Sequence, residues 1–275
     1  MKKFLSKFYA FSNSWTGTII IVLFVIFFVA QAFVIPSGSM KKTLLIGDHL
    51  FVKKFSYGTP TPHLPWLEIP VLPDFNANGH LIEGDRPKRG DIVVFRYPKD
   101  EKIHYVKRCI ATQGDEILYQ DKHLYIHFSE GNAYIQNTYP PEKIKNFGGK
   151  LWVENPYKEQ FLGIQYDENV DLFEQMSLHL SVNQLSMKPA LINDLPLKEG
   201  YNFNAFYAKV EKDHFYMVGD NRDHSNDSRF WGSVPYANIV GKPWFVYFSW
   251  DDDYKIRWNR IFRSVEALQY DKTLY

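Results

Sequence analysis

Near its beginning the chain carries a long stretch without charge. No charged residue lies between Lys7 and Lys41, and residues 18–34 are almost wholly apolar. About 20 apolar residues are needed for a helix to cross the hydrocarbon core of a bilayer, and only a helix pairs all backbone groups of such a segment within itself. The pattern therefore predicts a transmembrane anchor over residues 15–35, preceded by a cytoplasmic segment over residues 1–14.

A cleaved secretory signal is the alternative interpretation of this stretch. The chain starts with lysines at positions 2, 3 and 7, and Ala30-Gln31-Ala32 has the pattern of a cleavage site. The anchor is favoured because the apolar run continues past Ala32 to Ile35. Both interpretations export the remainder of the chain. The lysines before the span favour a cytoplasmic amino terminus, although further lysines follow the span.

After Pro36 the pattern changes to short apolar runs separated by Gly, Pro, Asp and Asn, which is typical of β-strands joined by turns. We expect a mainly β fold, an antiparallel sandwich-like or barrel-like catalytic domain formed by residues 36–119 and 210–275. The more polar and irregular residues 120–209 are predicted to form an inserted second subdomain. The predicted strands are 49–53, 91–95, 105–111, 123–128, 215–218 and 244–248.

Residues 59–75 are rich in proline and apolar side chains, so little regular structure is expected there. Two interpretations stay open at this stage. The segment is either a packed surface loop or an apolar flap that touches the membrane surface, where Trp66 would suit the interface.

Composition narrows the function. The chain of 275 residues has 32 Lys and Arg against 31 Asp and Glu, and this balance argues against a nucleic-acid partner. Aromatic residues make up 17% of the chain, which is typical of an ordered protein. Cys109 is the single cysteine, so no intramolecular disulfide forms; we interpret it as core packing rather than as a nucleophile.

Three segments of the sequence carry candidate chemistry. Ile35-Pro36-Ser37-Gly38-Ser39-Met40 directly follows the predicted span, and Tyr105-Val106-Lys107-Arg108 follows a predicted strand. The third segment is Gly219-Asp220-Asn221-Arg222-Asp223-His224-Ser225-Asn226-Asp227-Ser228-Arg229. Together, and in this order, the segments resemble the motifs of the bacterial type I signal peptidases, a Ser/Lys dyad family. The resemblance covers about a third of the chain and is densest in the third segment.

The resemblance implies a role for particular residues. Ser39 would be the nucleophile and Lys107 its general base, and the Ser37 hydroxyl would join the Ser39 backbone N–H in an oxyanion hole. Ser225 would orient the lysine. Asp227 and Arg229 would form a supporting ion pair, and their spacing of two places them on one face if that stretch is extended. The resemblance further implies S1 and S3 pockets lined by Phe33, Ile35, Pro36, Met40, Leu44, Leu50, Val94, His104, Tyr105 and Val106.

The chemistry agrees with these roles. A serine hydroxyl needs a neighbouring base before it attacks a carbonyl. Lysine is such a base only when neutral, and burial against apolar groups lowers its pKa. A histidine-based triad is disfavoured because no G-x-S-x-G motif is present. His123 and His127 are only a weak candidate for a metal site, and no cofactor is expected.

The implied activity is a membrane-bound serine endopeptidase of the bacterial cytoplasmic (inner) membrane. It would be single-pass, with its catalytic domain on the extracytoplasmic side, and would remove signal peptides from exported preproteins after an Ala-x-Ala type site. Its partners would be these preproteins and membrane lipid. The alternatives are another Ser/Lys processing peptidase and a non-catalytic, membrane-tethered β module that binds exported proteins.

Overall fold

The computed structural model describes residues 2–64 and 67–274. Within these residues there are six α-helices, apart from several short 3₁₀-helical and π-helical turns. They are α1 (Lys2–Ser12), α2 (Trp15–Phe24), α3 (Asn132–Thr138), α4 (Leu172–Ser181), α5 (Ser228–Trp231) and α6 (Val265–Leu268).

Strands dominate the rest of the described chain. They are β1 (Ala30–Val34), β2 (Asp48–Lys53), β3 (Gly58–Pro60), β4 (His80–Glu83), β5 (Ile92–Tyr97), β6 (Asp100–Thr112), β7 (Glu116–Gln120), β8 (His123–His127), β9 (Ile144–Phe147), β10 (Lys150–Glu154), β11 (Lys188–Ala190), β12 (Ala205–Lys209), β13 (His214–Val218), β14 (Val234–Pro235) and β15 (Ile239–Ser249).

These strands form two large sheets and one hairpin. The first sheet has the order β1-β2-β15-β5-β6-β13-β14, and the second has the order β11-β12-β7-β8-β10-β9, while β3 pairs with β4 alone. Neighbouring strands run antiparallel throughout. The prediction of a mainly antiparallel β fold is confirmed.

The first sheet has an apolar core on each face. Along β5, Ile92 and Val94 pack into one core, whereas Val93 and Phe95 pack into the other. Side chains of a strand alternate between faces, and a strand covered on both faces reads as a continuous apolar run. This explains why the sequence of β5 shows no polar alternation.

The second sheet includes β7, which lies within the predicted catalytic core, as well as strands from the predicted insertion. One of its faces packs into a core with Phe128, Phe173 and Phe206, which also contains Ile110 and Val218 from strands of the first sheet. The boundary between core and insertion stays a prediction.

One prediction about the amino-terminal segment is wrong. The helix predicted over residues 15–35 ends earlier: α2 continues through a π-helical turn over Val25–Val29, and residues 30–34 are strand β1. Ala30 to Val34 pair with Lys53 to His49 of β2, so their backbone groups are satisfied by the sheet. A short apolar run looks the same in a helix and in a packed strand.

Among the described residues, no single helix is long and apolar enough to cross a membrane. Residues 3–12 and 15–29 pass that test only as a pair, bent by 89° at the break between them. The break follows from local capping, because Ser14 accepts a hydrogen bond from the backbone N–H of Gly17 and starts a new helix.

The proline-rich segment is mostly irregular, apart from its first two residues, which end β3. Leu67, Ile69 and Phe75 are exposed there. In contrast, Glu68 has a buried side chain that accepts a hydrogen bond from Arg96 Nε at 3.3 Å. Trp66 lies outside the described residues, so its predicted contact with the membrane interface stays a prediction.

Candidate active site

Ser39 lies in a 3₁₀ turn, Gly38–Met40, that begins four residues after the end of β1. Two hydrogen bonds from the third motif hold this turn: Asn221 N–H donates to the Ser39 carbonyl at 3.0 Å, and Asn221 Nδ2 donates to the Gly38 carbonyl at 3.0 Å. Ser39 is 8% exposed. The serine is therefore fixed on two sides, by the end of β1 and by the segment that follows β13.

Lys107 reaches the serine from β6. Its Nζ lies 2.7 Å from Ser39 Oγ and 3.2 Å from the Val106 carbonyl, and the residue is 4% exposed. Burial lowers the pKa of Lys107 from its ordinary value of 10.5 to about 8, against the opposing pull of Asp227 and Asp220. A lysine in this state has a substantial neutral fraction near neutral pH and is a competent base.

The Asp227–Arg229 ion pair lies beside this lysine. Arg229 Nε and Nη2 donate to the two carboxylate oxygens of Asp227, each at 2.8 Å, and both side chains are buried. Although burial raises the pKa of Asp227, Arg229 outweighs burial and lowers it. Because Asp227 is charged but already paired, it stabilises the ammonium form of Lys107 less than a lone carboxylate would.

The local geometry of this pair differs from the extended stretch that the spacing suggested. Asp227 is the N-cap of α5 and accepts a hydrogen bond from the Arg229 backbone N–H at 3.2 Å. The two side chains meet because the chain turns into a helix there.

Two further buried ion pairs lie around the turn that carries Ser39. The sequence analysis assigned a role to neither pair. Arg108 donates to both carboxylate oxygens of Asp220 at 2.7 Å, and Thr43 Oγ1 donates to Asp220 Oδ2 at 2.6 Å. Arg260 donates to both oxygens of Asp48 at 2.9 and 2.6 Å. Of these residues, Arg108 and Asp220 lie in the quoted motifs, and their opposite charges were the one available signal.

The two remaining hydroxyls of the motif set lie close to the pair. Ser37 is exposed, and its Oγ is 3.5 Å from Ser39 Oγ. Ser225 is buried, but within the described chain its Oγ has no hydrogen-bond partner, and no bond to Lys107 forms. Its orienting role stays a prediction.

Gly219 explains how these groups fit together. A Cβ at this position would lie 2.3 Å from Ser225 Oγ and 2.6 Å from the Ser39 carbonyl oxygen. Any side chain there would collide with both. Glycine therefore lets the third motif pack directly against the turn that carries Ser39.

Comparison with known proteins gives this arrangement a family. A model of the signal peptidases, peptidase S26, matches residues 9–250. The chain belongs to the S26 signal peptidases. Two proteins named signal peptidase I from Helicobacter pylori strains are 52% and 50% identical to it, each over 97% of this chain and 96% of its own length. A signal peptidase I from Buchnera aphidicola is 35% identical over 85% of this chain and 74% of its own length.

In this S26 peptidase, most residues predicted to line S1 and S3 lie in one apolar cluster. Two of the predicted residues lie elsewhere: Tyr105 packs in the core on the opposite face, and Pro36 is exposed. His104 contacts the Phe33 ring, with centroids 5.1 Å apart. The clustered residues are Phe33, Ile35, Met40, Leu44, Leu50, Val94 and Val106.

The alternative chemistries find no support in the described residues. No group of three or more His, Cys, Asp or Glu is placed to hold a metal ion there. His123 bonds to Glu154, and His127 bonds to the Leu151 carbonyl. Cys109 is fully buried among apolar side chains, and burial raises the pKa of its thiol, which disfavours the thiolate.

Proposed function

We propose that this S26 signal peptidase removes signal peptides from exported preproteins, after a small-x-small site of the Ala-x-Ala type, with Ser39 as nucleophile and Lys107 as general base. The observation that carries the proposal is the distance of 2.7 Å between Lys107 Nζ and Ser39 Oγ, with both residues buried. Serine and a base within hydrogen-bond reach are the arrangement that nucleophilic catalysis requires.

The reaction follows from this geometry. Neutral Lys107 accepts the Ser39 proton as Oγ attacks the scissile carbonyl, and the resulting ammonium donates that proton to the departing amine. Lys107 then deprotonates a water, which hydrolyses the acyl-enzyme and releases Ser39. The Ser39 N–H and the Ser37 hydroxyl would donate to the oxyanion, where a single donor is typically worth about 10²–10³-fold in rate.

Strand pairing suggests how the substrate binds. In the described chain, β1 pairs with β2 on one edge only, and β13 pairs with β6 only from Arg108 onward. The preceding residues of β6, which include Tyr105 and Val106, pair with β5 alone. A precursor in extended form can therefore add main-chain hydrogen bonds at these edges. The apolar cluster below them would leave room for small P1 and P3 side chains.

A single preprotein tests the proposed specificity. Incubated with the purified full-length protein, it should be cut once, and sequencing of the new amino terminus should place the cut directly after an Ala-x-Ala type sequence. The physical reason is that bulkier side chains at P1 and P3 would have to displace Ile35, Leu44 or Val94. Cleavage after large or charged residues contradicts the proposed specificity.

The rate should rise with pH through the pKa of Lys107. Because that pKa is lowered to about 8, the neutral fraction grows roughly tenfold between pH 7 and pH 9, and kcat/KM on a peptide without titratable groups should grow with it. The rate rises rather than falls with pH because the base is the deprotonated form of Lys107. A rate that is flat or falls over this range contradicts the role of Lys107.

The lowered pKa of Lys107 also makes the free energy of unfolding depend on pH. In the unfolded chain the amine keeps its ordinary pKa of 10.5, so between pH 8 and 10.5 the unfolded state binds more protons than the folded state. Over this window the contribution of Lys107 to the free energy of unfolding increases with pH. Unfolding followed over the same pH range separates this effect from the change in rate.

Members of this family are membrane-anchored in bacteria. For this chain we propose a single anchor formed by residues 15–29, the apolar arm of the bent helical pair, with the catalytic domain on the extracytoplasmic side of the cytoplasmic membrane. The apolar composition of residues 15–29 supports an anchor, and the lysines before it support a cytoplasmic amino terminus.

A further inference from the structure

A cavity of about 690 Å³ lies beside the catalytic pair, between the first sheet and the inserted segment. Its size is within the usual range of ligand clefts, about 300–1,000 Å³. Ser225 and Trp231 form one wall, and Gln175 and His179 of α4 form another. None of the residues predicted to bind P1 to P3 lines it.

The cavity is adjacent to the reacting groups. Ser225 Oγ and the Ser39 carbonyl oxygen both crowd the empty Cβ position of Gly219, at 2.3 and 2.6 Å. On the lysine side, Lys107 Nζ lies 5.0 Å from the centre of the Tyr105 ring, and that ring lies 6.2 Å from the ring of Trp231. Ser225, a residue of the cavity wall, therefore lies beside Ser39, and a substrate chain that passes Ser39 toward Ser225 reaches this cavity.

Three residues of the cavity wall carry buried polar atoms that lack a partner within the described chain. They are Asp223 Oδ1, Ser225 Oγ and Trp231 Nε1. An unpaired buried polar group costs about 1–3 kcal/mol. These atoms are closed off from solvent in this structure, so a peptide main chain, which offers both donors and acceptors, pairs with them only after a side-chain rotation at the wall.

The charges around the cavity favour some peptides over others. Lys99 is exposed at its rim. Asp223, the acidic residue of the lining, is neutralised by Lys122 Nζ at 2.9 Å. The positive charge of Lys99 therefore disfavours basic side chains at the rim and favours acidic ones.

We propose that this cavity binds the residues that follow the scissile bond, the first residues of the mature protein, and selects against Lys and Arg among them. The proposal rests on the proposed function, since it assigns the departing half of the same substrate. It gives the inserted segment a role, because α4 forms one wall of the cleft.

Photo-cross-linking tests the location without requiring turnover. Full-length Ser39→Ala protein is mixed with a preprotein that carries a photoreactive side chain at P3′, or at P3 as the matched control. The P3′ probe should label residues 97–99, α4 or residues 223–231, and the P3 probe should label β1 or β6. Labelling of β1 by the P3′ probe, or labelling outside residues 97–99, 170–184 and 223–231, overturns the proposal.

Kinetics test the charge preference in the active protein. Two preproteins that differ only in Glu or Lys at P2′ to P4′ should differ by about two- to fivefold in kcat/KM, in favour of Glu, as expected for exposed charges. Lys99→Glu should abolish or reverse this ratio, whereas Lys212→Glu, a matched change at an exposed turn outside the cavity, should preserve it. Equal rates for both substrates, or an unchanged ratio in Lys99→Glu, overturn the proposed selection.

The two proposals fail in different ways. If cross-links map to the cavity while the wild-type protein cleaves no preprotein, the peptide site stands and the catalytic assignment falls. If precursors are cleaved at the expected position but P3′ labels elsewhere, the cavity assignment alone falls.

Discussion

Replacing Lys107 with methionine should lower kcat/KM on a preprotein by at least about a thousandfold, within the range expected when a general base and its nucleophile act as a unit. Methionine has a similar length and no charge, so it suits a site that is 4% exposed. The free energy of unfolding should therefore be kept or increased. Lys107→Arg should be equally inactive, because a guanidinium does not release its proton in proteins.

Lys54 provides a matched control for this change. It is also 4% exposed, and burial lowers its pKa to about 8 as well, but it has no contact with Ser39 among the hydrogen bonds of the described chain. Lys54→Met should keep precursor cleavage. The Ser39→Ala, Lys107→Met double variant should be no slower than either single variant. Cleavage by Lys107→Met within tenfold of the wild-type rate would rule out the dyad.

Removing the Asp220 carboxylate should destabilise the fold by about 3–5 kcal/mol, the usual effect of leaving a buried charge unpaired. Arg108 and Asp220 are both fully buried, and Asp220 also accepts a hydrogen bond from Thr43. In Asp220→Ala, the guanidinium keeps hydrogen bonds to Gly90 and Gln269 but loses its counter-charge. Denaturant unfolding of the full chain measures the loss.

Two comparisons make this result specific. Asp253→Ala removes one partner of the exposed Lys255–Asp253 pair and should change the free energy of unfolding by no more than about 0.5 kcal/mol. The Arg108→Met, Asp220→Leu double variant removes both charges and should recover much of the lost stability. A loss in Asp220→Ala as small as that in Asp253→Ala would show that the buried pair is energetically neutral.

Local pattern was enough to predict the strands β5 and β6. They correspond to the strands predicted at 91–95 and 105–111, because most of their buried positions are apolar, although Lys107 and Arg108 of β6 are buried as well. The start of β6 at Asp100 was missed, since its first residues are exposed and polar. An apolar pattern in the sequence indicates buried strand residues, whereas exposed strand residues that pair only through their backbones show no such pattern.

Long-range pairing could not be predicted in the same way. Arg108 and Asp220 are 112 positions apart and meet only because β6 and β13 are neighbours in the sheet. Likewise, the cavity beside Ser225 depends on where α4 of the inserted segment packs, which no motif encodes. The motifs were enough to predict Ser39 and Lys107 as the reacting residues, while the order of the strands in the sheet determines which side chains surround them.

The passage from helix into strand at residues 29 and 30 has a mechanical consequence. No linker separates Val29 from Ala30, and β1 pairs with β2 along its whole length. The cleft therefore cannot rotate freely relative to the helical segment. Where the helical segment is embedded in lipid, the height of Ser39 above the bilayer is set by main-chain geometry. We expect the enzyme to cut each precursor at a fixed distance from the lipid surface.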